Sequence, residues 1–183
     1  WKGADLACEA IRIARESLPQ LDCLSFGTQG PTPAHPVPGN TRFTRLPGSS
    51  TLRGIYAQCD AWIVASRSEG FGLPILESMA CRTPVIATPT GAAPELLTKG
   101  GGILVEHESP QSIADAILRI ANMSGPQWKA MSDCAYATAR GYTWDDATGL
   151  FEQALGSAKT KSDASPASAD DAIPPPRRRE ARA

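Results

Sequence analysis

Two glutamates, Glu69 and Glu77, stand on either side of a glycine turn, Gly70-Phe71-Gly72, with seven residues between them. The turn follows an apolar run, Ala61–Ala65, and precedes a helical pattern carried by Ile75, Leu76, Met79 and Ala80. A helix N-terminus behind a glycine turn presents unpaired amides and the positive end of the helix dipole, which together favour an anion such as a diphosphate. A carboxylate beside a phosphate is repelled, so neither glutamate belongs on the phosphates themselves. Glu77, about one turn into the helix, could accept both hydroxyls of a ribose cis-diol. Glu69, at the strand end, could hold or polarise hydroxyls on the other side. Diol, diphosphate and polyol in that order describe a nucleotide sugar. The same residues admit a plainer reading: a glutamate in a helix's first turns complements the dipole, and the full Gly-x-Gly-x-x-Gly fingerprint is absent.

The flanking elements follow from hydrophobic pattern and punctuation. Ala61–Ala65 reads as a buried parallel strand, Pro74 as the first helical residue, and Thr83-Pro84 as the stop before a second buried strand, Val85–Ala87. Upstream, Leu6, Ala10, Ile13, Ala14 and Ser17 share one face of a helix over Ala4–Leu18, which Pro19 ends. Strands are expected at Leu21–Thr28 and Thr41–Leu46, separated by a Gly/Pro-rich loop in which His35 reads as a solvated histidine. Ser49 or Ser50 should cap a helix bearing Leu52, Ile55, Tyr56 and Cys59, with Tyr56 in the core. Downstream, Gly100–Gly102 should release the chain from a helix end into a strand at Ile103–Val105. Ser109-Pro110 opens a helix whose inner face is Ile113, Ala116, Ile117, Ile120 and Ala121, and another spans Pro126–Arg140. Thr143 with Asp146 caps a last helix through Phe151 and Leu155, which accounts for the Asp145-Asp146 pair without a metal. Strands alternating with helices give an α/β, Rossmann-like parallel sheet with helices on both faces and a ligand cleft at the strands' carboxyl edge.

Composition narrows the function. A chain of 183 residues can bury a sizeable core, and a net charge of −1 offers no field for nucleic acid. No apolar run has the length of a membrane span, and no signal-peptide pattern is present. The five cysteines lack a C-x-x-C pair and read as buried, reduced thiols of a cytoplasmic protein, and two histidines cannot build a zinc site. From Gly156 onward the chain has one Ile and no other large apolar residue, so residues 156–183 are expected to be a disordered tail. Pro174–Pro176 should be extended. Arg177–Arg179 could touch anionic lipid heads at the inner face of a membrane, although a solvated tail is the simpler expectation.

Glu69-Gly70-Phe71-Gly72-Leu73-Pro74 with Glu77, then Ala80–Ala87 and Gly91-x-x-Pro94-Glu95-Leu96, closely resembles the donor-binding half of GT-B glycosyltransferases, in particular family 4 (glycosyl transferases group 1). The resemblance covers Trp1 to about Leu155. It implies the C-terminal half of a GT-B fold over residues 1–155, N-terminally truncated, with its first strand and an N-terminal acceptor domain lying ahead of Trp1. It implies that Glu69 and the backbone of Gly70, Phe71, Gly72 and Leu73 contact the transferred sugar and the phosphates, and that Glu77 binds ribose. It places the loop at Leu46 near the base. Lys2, on residue type alone a terminal lysine in solvent, matches the family's diphosphate-binding lysine, while the partnering arginine would precede Trp1. The expected activity is retaining, metal-independent transfer from a nucleoside-diphosphate sugar, with no further cofactor, to an unidentified hydroxyl, and with the isolated chain inactive. A nucleotide-sugar epimerase of the same fold and a non-catalytic nucleotide-sugar-binding module are the alternatives.

Overall fold

A computed structural model describes residues 1–33 and 36–163. His35, Pro174–Pro176 and Arg177–Arg179 lie outside the described residues. The element order is α1 (Ala4–Ser17), β1 (Cys23–Gly27), β2 (Thr41–Arg45), α2 (Ser49–Ala57), β3 (Trp62–Val64), α3 (Leu73–Ala80), β4 (Val85–Ala87), α4 (Ala93–Leu97), β5 (Gly102–Leu104), α5 (Pro110–Ala121), α6 (Gly125–Arg140) and α7 (Trp144–Asp163). Residues Trp1–Tyr142 form one compact unit, and Thr143 begins a second.

Among the described residues every strand-to-strand pairing is parallel, as the alternation of elements predicts, but the strands form two sheets instead of one. β1 pairs with β2 in the register Cys23↔Thr41 to Gly27↔Arg45. β4 lies between β3 and β5, with Ile63↔Ile86 and Ile86↔Ile103 in register. Aromatic rings, not a hydrogen-bond ladder, bring β1 to β3. Phe26 stacks on Trp62 at 5.3 Å between centroids, and Tyr56 of α2 meets both rings edge-on at 5.8 and 4.7 Å. Offset and edge-to-face contacts of this kind add to the area such rings bury.

The period-2 alternation of β3, β4 and β5 divides the core between two faces. Ile63, Ala65, Ile86, Ile103 and Val105 face α1 and α5, joining Leu6, Ala10, Ile113 and Ile117. Trp62, Val64, Val85 and Ala87 face the other way, joining Ile75 and Met79 of α3, Leu96 of α4 and Ala135 of α6. The strands are therefore apolar on both sides, which is what a parallel sheet covered by helices requires.

Local punctuation differs from expectation in three places. The residue capping α2 is Gly48, so Ser49 and Ser50 already lie in the first turn. Leu73, not Pro74, is the first residue of α3, which puts the proline second. Helix α7 continues to Asp163, eight residues beyond Leu155, where composition had ended the ordered chain. Once nucleated, a helix gains one hydrogen bond for each residue added, so it can run past the last residue of its apolar pattern. Its cap is as read: Thr143 Oγ1 accepts the Asp146 N–H at 3.1 Å. Ser109 caps α5 likewise, accepting the Ser112 N–H at 3.1 Å. The cysteines are free thiols, but none is fully buried; Cys134 is exposed and the other four are half-buried. Burial still raises the Cys59 thiol to about 11.

Candidate functional site

Because β3 and β4 are parallel, the loops leaving their carboxyl ends share one edge of the sheet, the usual ligand side of such folds. The N-terminal segment arrives at this edge as well. The Arg67 N–H donates to the Trp1 carbonyl at 3.0 Å. Gly3, at φ 67°, turns the chain into α1 so close to Ala65 that an added Cβ would lie 1.8 Å from the Ala65 oxygen. Only a residue without a side chain fits there. This tight seat fixes Lys2 against the residues that follow β3.

Lys2 and Glu69, 67 residues apart in sequence, meet as an ion pair. The ammonium donates to both carboxylate oxygens, at 2.8 and 2.9 Å. The Ser66 hydroxyl, itself buried, donates to Glu69 Oε1 at 2.7 Å. Burial pushes the Glu69 carboxyl up, but the hydrogen bonds from Lys2 and Ser66 and the lysine's charge outweigh it, so the group sits below its ordinary range. The Glu69 side chain is only 9% exposed, whereas that of Lys2 is 67% exposed. The pair thus shows solvent its cation and hides its anion. A carboxylate has roughly four acceptor sites, of which these three bonds occupy three.

The turn beyond Glu69 is held from behind by the loop after β4. Gly72, at φ 95°, is the residue that caps α3. The Ala92 N–H donates to the Phe71 carbonyl at 2.9 Å. Gly91, at φ 55°, approaches so closely that a Cβ there would lie 2.5 Å from the Phe71 oxygen and 3.0 Å from Glu69 Cβ. Ser66 is anchored in turn, its carbonyl accepting the Thr88 hydroxyl at 2.5 Å. With Pro74 second in the helix and lacking an N–H, the donors at this end come mainly from the backbone of Gly70, Phe71, Gly72 and Leu73.

Glu77 lies one turn further along α3, exposed, and its Oε2 accepts the Tyr56 hydroxyl at 2.9 Å. Burial, together with the bond to Glu77 and its charge, drives the Tyr56 phenol far above its ordinary range. Leu46 is carried on the other sheet: its N–H donates to Gly27 across the end of β1 and β2, and its side chain is exposed at φ 45°. Of the residues singled out in the sequence, the structure brings together Lys2, Glu69 and Gly70–Leu73, sets Glu77 along the same helix, and carries Leu46 on separate strands. Sequence reasoning missed Ser66 and Gly91 as supports of this turn. Gly91 was visible only as part of a motif, and Ser66 had no signal beyond its place three residues before Glu69.

A second ionic cluster ties the same edge together. Arg67 donates to both oxygens of Asp5 in α1, at 2.9 and 2.7 Å, and to Glu108 Oε1 at 2.6 Å. Among the described residues, no group of three or more His, Cys, Asp or Glu side chains could hold a metal ion, and no helix is long and apolar enough to cross a membrane.

The sequence pattern of the family described as glycosyl transferases group 1 matches residues 1–123. This chain belongs to that family. The group 1 domain is 38% identical over 119 residues to a D-inositol 3-phosphate glycosyltransferase of Actinosynnema mirum, an alignment covering 64% of this chain and 28% of that protein. The chain thus spans less than a third of that relative's length. Its fold matches the C-terminal domain of a glycosyl transferase group 1 family protein from Francisella tularensis, with a TM-score of 0.65 and 27% identity, covering 76% of this chain and 78% of that one. It also matches the Anabaena protein HepE, solved in complex with UDP and glucose, with a TM-score of 0.66 and 22% identity, covering 86% of this chain and 45% of that one. The group 1 domain therefore has the Rossmann-like α/β architecture of GT-B glycosyltransferases.

Proposed function

We propose that this domain binds the donor for glycosyl transfer, a nucleoside-diphosphate sugar, and that the sugar passes with retention, without a metal, to a hydroxyl acceptor yet to be identified. The observation that carries this reading is the exposed Lys2 ammonium sitting on the shielded Glu69 carboxylate at the mouth of the Gly70–Leu73 turn. When the bond from the sugar to the diphosphate breaks, its electron pair leaves with the phosphate oxygen, so negative charge grows there. Lys2 and the turn amides are the groups placed to meet that charge as it develops. Glu69 keeps acceptor capacity for a sugar hydroxyl, which would hold the reacting carbon in position. Glu77 would take the ribose hydroxyls, and Leu46 would flank the base. Retention and metal independence come from the family resemblance.

Calorimetric titration with UDP-, GDP- and ADP-sugars tests the reading. At least one should bind, and Glu77→Gln should weaken that binding about tenfold, as expected for lost hydrogen bonds to a charged acceptor. Unchanged affinity in Glu77→Gln means the ribose assignment is wrong. Because the chain spans less than a third of its relative, the purified 183-residue protein is expected to bind donor without transferring sugar to any acceptor. Turnover by that protein would contradict this part of the proposal.

A further inference from the structure

Tyr56 sits where hydrophobic periodicity puts a core residue, and it is buried to 1% exposure. Yet it is held at three points, more than packing demands. Its ring packs edge-on against the stacked pair Phe26 and Trp62. Its carbonyl accepts the Thr83 hydroxyl at 2.7 Å, which fixes α2 against the end of α3. Its hydroxyl emerges from the core only to reach Glu77 Oε2 at 2.9 Å. A phenol with a locked ring can move its oxygen very little, so the carboxylate it grips loses rotational freedom with it. A glutamate on the open face of a helix otherwise samples several rotamers, and ordering such a chain on binding costs free energy.

We propose that Tyr56 is a positioning residue that pre-orients Glu77, taking one carboxylate oxygen so that the other, Oε1, is presented to a vicinal diol on the ligand. This rests on the reading of Glu77 as the ribose-binding group. Selectivity for a ribose over a deoxyribose then originates one layer beneath the ligand, in a residue that never touches it. A carboxylate held by one oxygen meets the two hydroxyls with its remaining lone pairs at little entropic cost. A carboxylate free to rotate must be ordered anew for each ligand.

The test compares wild type, Tyr56→Phe and Glu77→Gln by calorimetry with UDP, GDP, ADP, their 2′-deoxy and 3′-deoxy counterparts, and inorganic pyrophosphate. Phenylalanine keeps the ring and its packing and removes only the hydroxyl. The expected result is that Tyr56→Phe binds the preferred nucleoside diphosphate about tenfold more weakly, discriminates less between it and its deoxy counterparts, and binds pyrophosphate as wild type does. If Glu77→Gln loses affinity while Tyr56→Phe keeps both affinity and discrimination, the ribose site stands and the positioning role is overturned. If Tyr56→Phe loses pyrophosphate affinity to the same extent, the tyrosine is only a structural support and the proposal is again overturned. If Glu77→Gln leaves the affinity for all three diphosphates unaltered, the ribose reading falls and the positioning role falls with it.

Discussion

Lys2 is the residue on which the site's electrostatics turn. Its ammonium lies on a carboxylate that is itself nearly out of solvent, so its removal would leave Glu69 with Ser66 as the remaining donor. Lys2→Met should therefore raise the Glu69 carboxyl pKa, because burial, which already pushes upward, would lose the hydrogen bonds and charge that oppose it. The same substitution should weaken pyrophosphate binding by about tenfold or more, the usual size of a lost charged hydrogen bond. NMR titration of the Glu69 carboxyl reads the first effect and calorimetry the second. A carboxyl pKa that stays put or falls in Lys2→Met would show that the ion pair does not govern Glu69. Lys2→Arg should keep most of the anion affinity, because a guanidinium fork can also engage both Glu69 oxygens, although it spreads its charge over a larger, planar group than the ammonium does.

At the scale of elements, the glycines separate seats that must be empty from turns that are merely flexible. Gly3→Ala forces a side chain onto the Ala65 carbonyl at positive φ and should cost about 1–3 kcal/mol of stability, displacing Lys2 and weakening pyrophosphate binding with it. Gly54, inside α2 with open space around it, should respond in the opposite sense: Gly54→Ala is expected to stabilise by about 0.5–1 kcal/mol through helix propensity alone. Urea unfolding of the two variants checks both signs. The same contrast explains what was legible in the sequence. β4 could be read to the residue because Thr83-Pro84 and an apolar triplet mark it locally, and α5 because Ser109-Pro110 announces its start. The five-residue α4 could not be read, since it is too short for a helical period to show and takes its place from Gly91 and Pro94. Glu69, Glu77 and the turn were recognisable by spacing. That Lys2 meets Glu69 and that Tyr56 holds Glu77 were not, because each contact depends on elements far apart in the chain that only the folded sheet brings together.

Across the compact unit Trp1–Tyr142, the ion pairs at the sheet's carboxyl edge link the chain's start to its middle, and they make stability depend on pH in a definite direction. The hydrogen bonds from Arg67 hold the Asp5 carboxyl down at about 2, against an ordinary 3.8, and Glu69 is also depressed. A carboxylate whose folded pKa lies below its unfolded one binds fewer protons when folded. Its contribution is complete above the unfolded value and is lost as pH falls through the folded one. For Asp5 that window runs from about 3.8 down to about 2. The pair is largely solvent-exposed, with Asp5 at 68% and Arg67 at 32%, so screening keeps its worth at pH 7 to about 1 kcal/mol or less. Asp5→Asn should consequently be slightly less stable than wild type near neutrality. The gap should stay constant down to about pH 5 and then close as wild type protonates the carboxylate that the variant lacks. Urea midpoints for both proteins at pH 7, 5 and 3.5 measure the gap directly. A gap that widens toward acid would mean that the Arg67 contact favours the protonated carboxyl, the reverse of what the two short bonds from its guanidinium require.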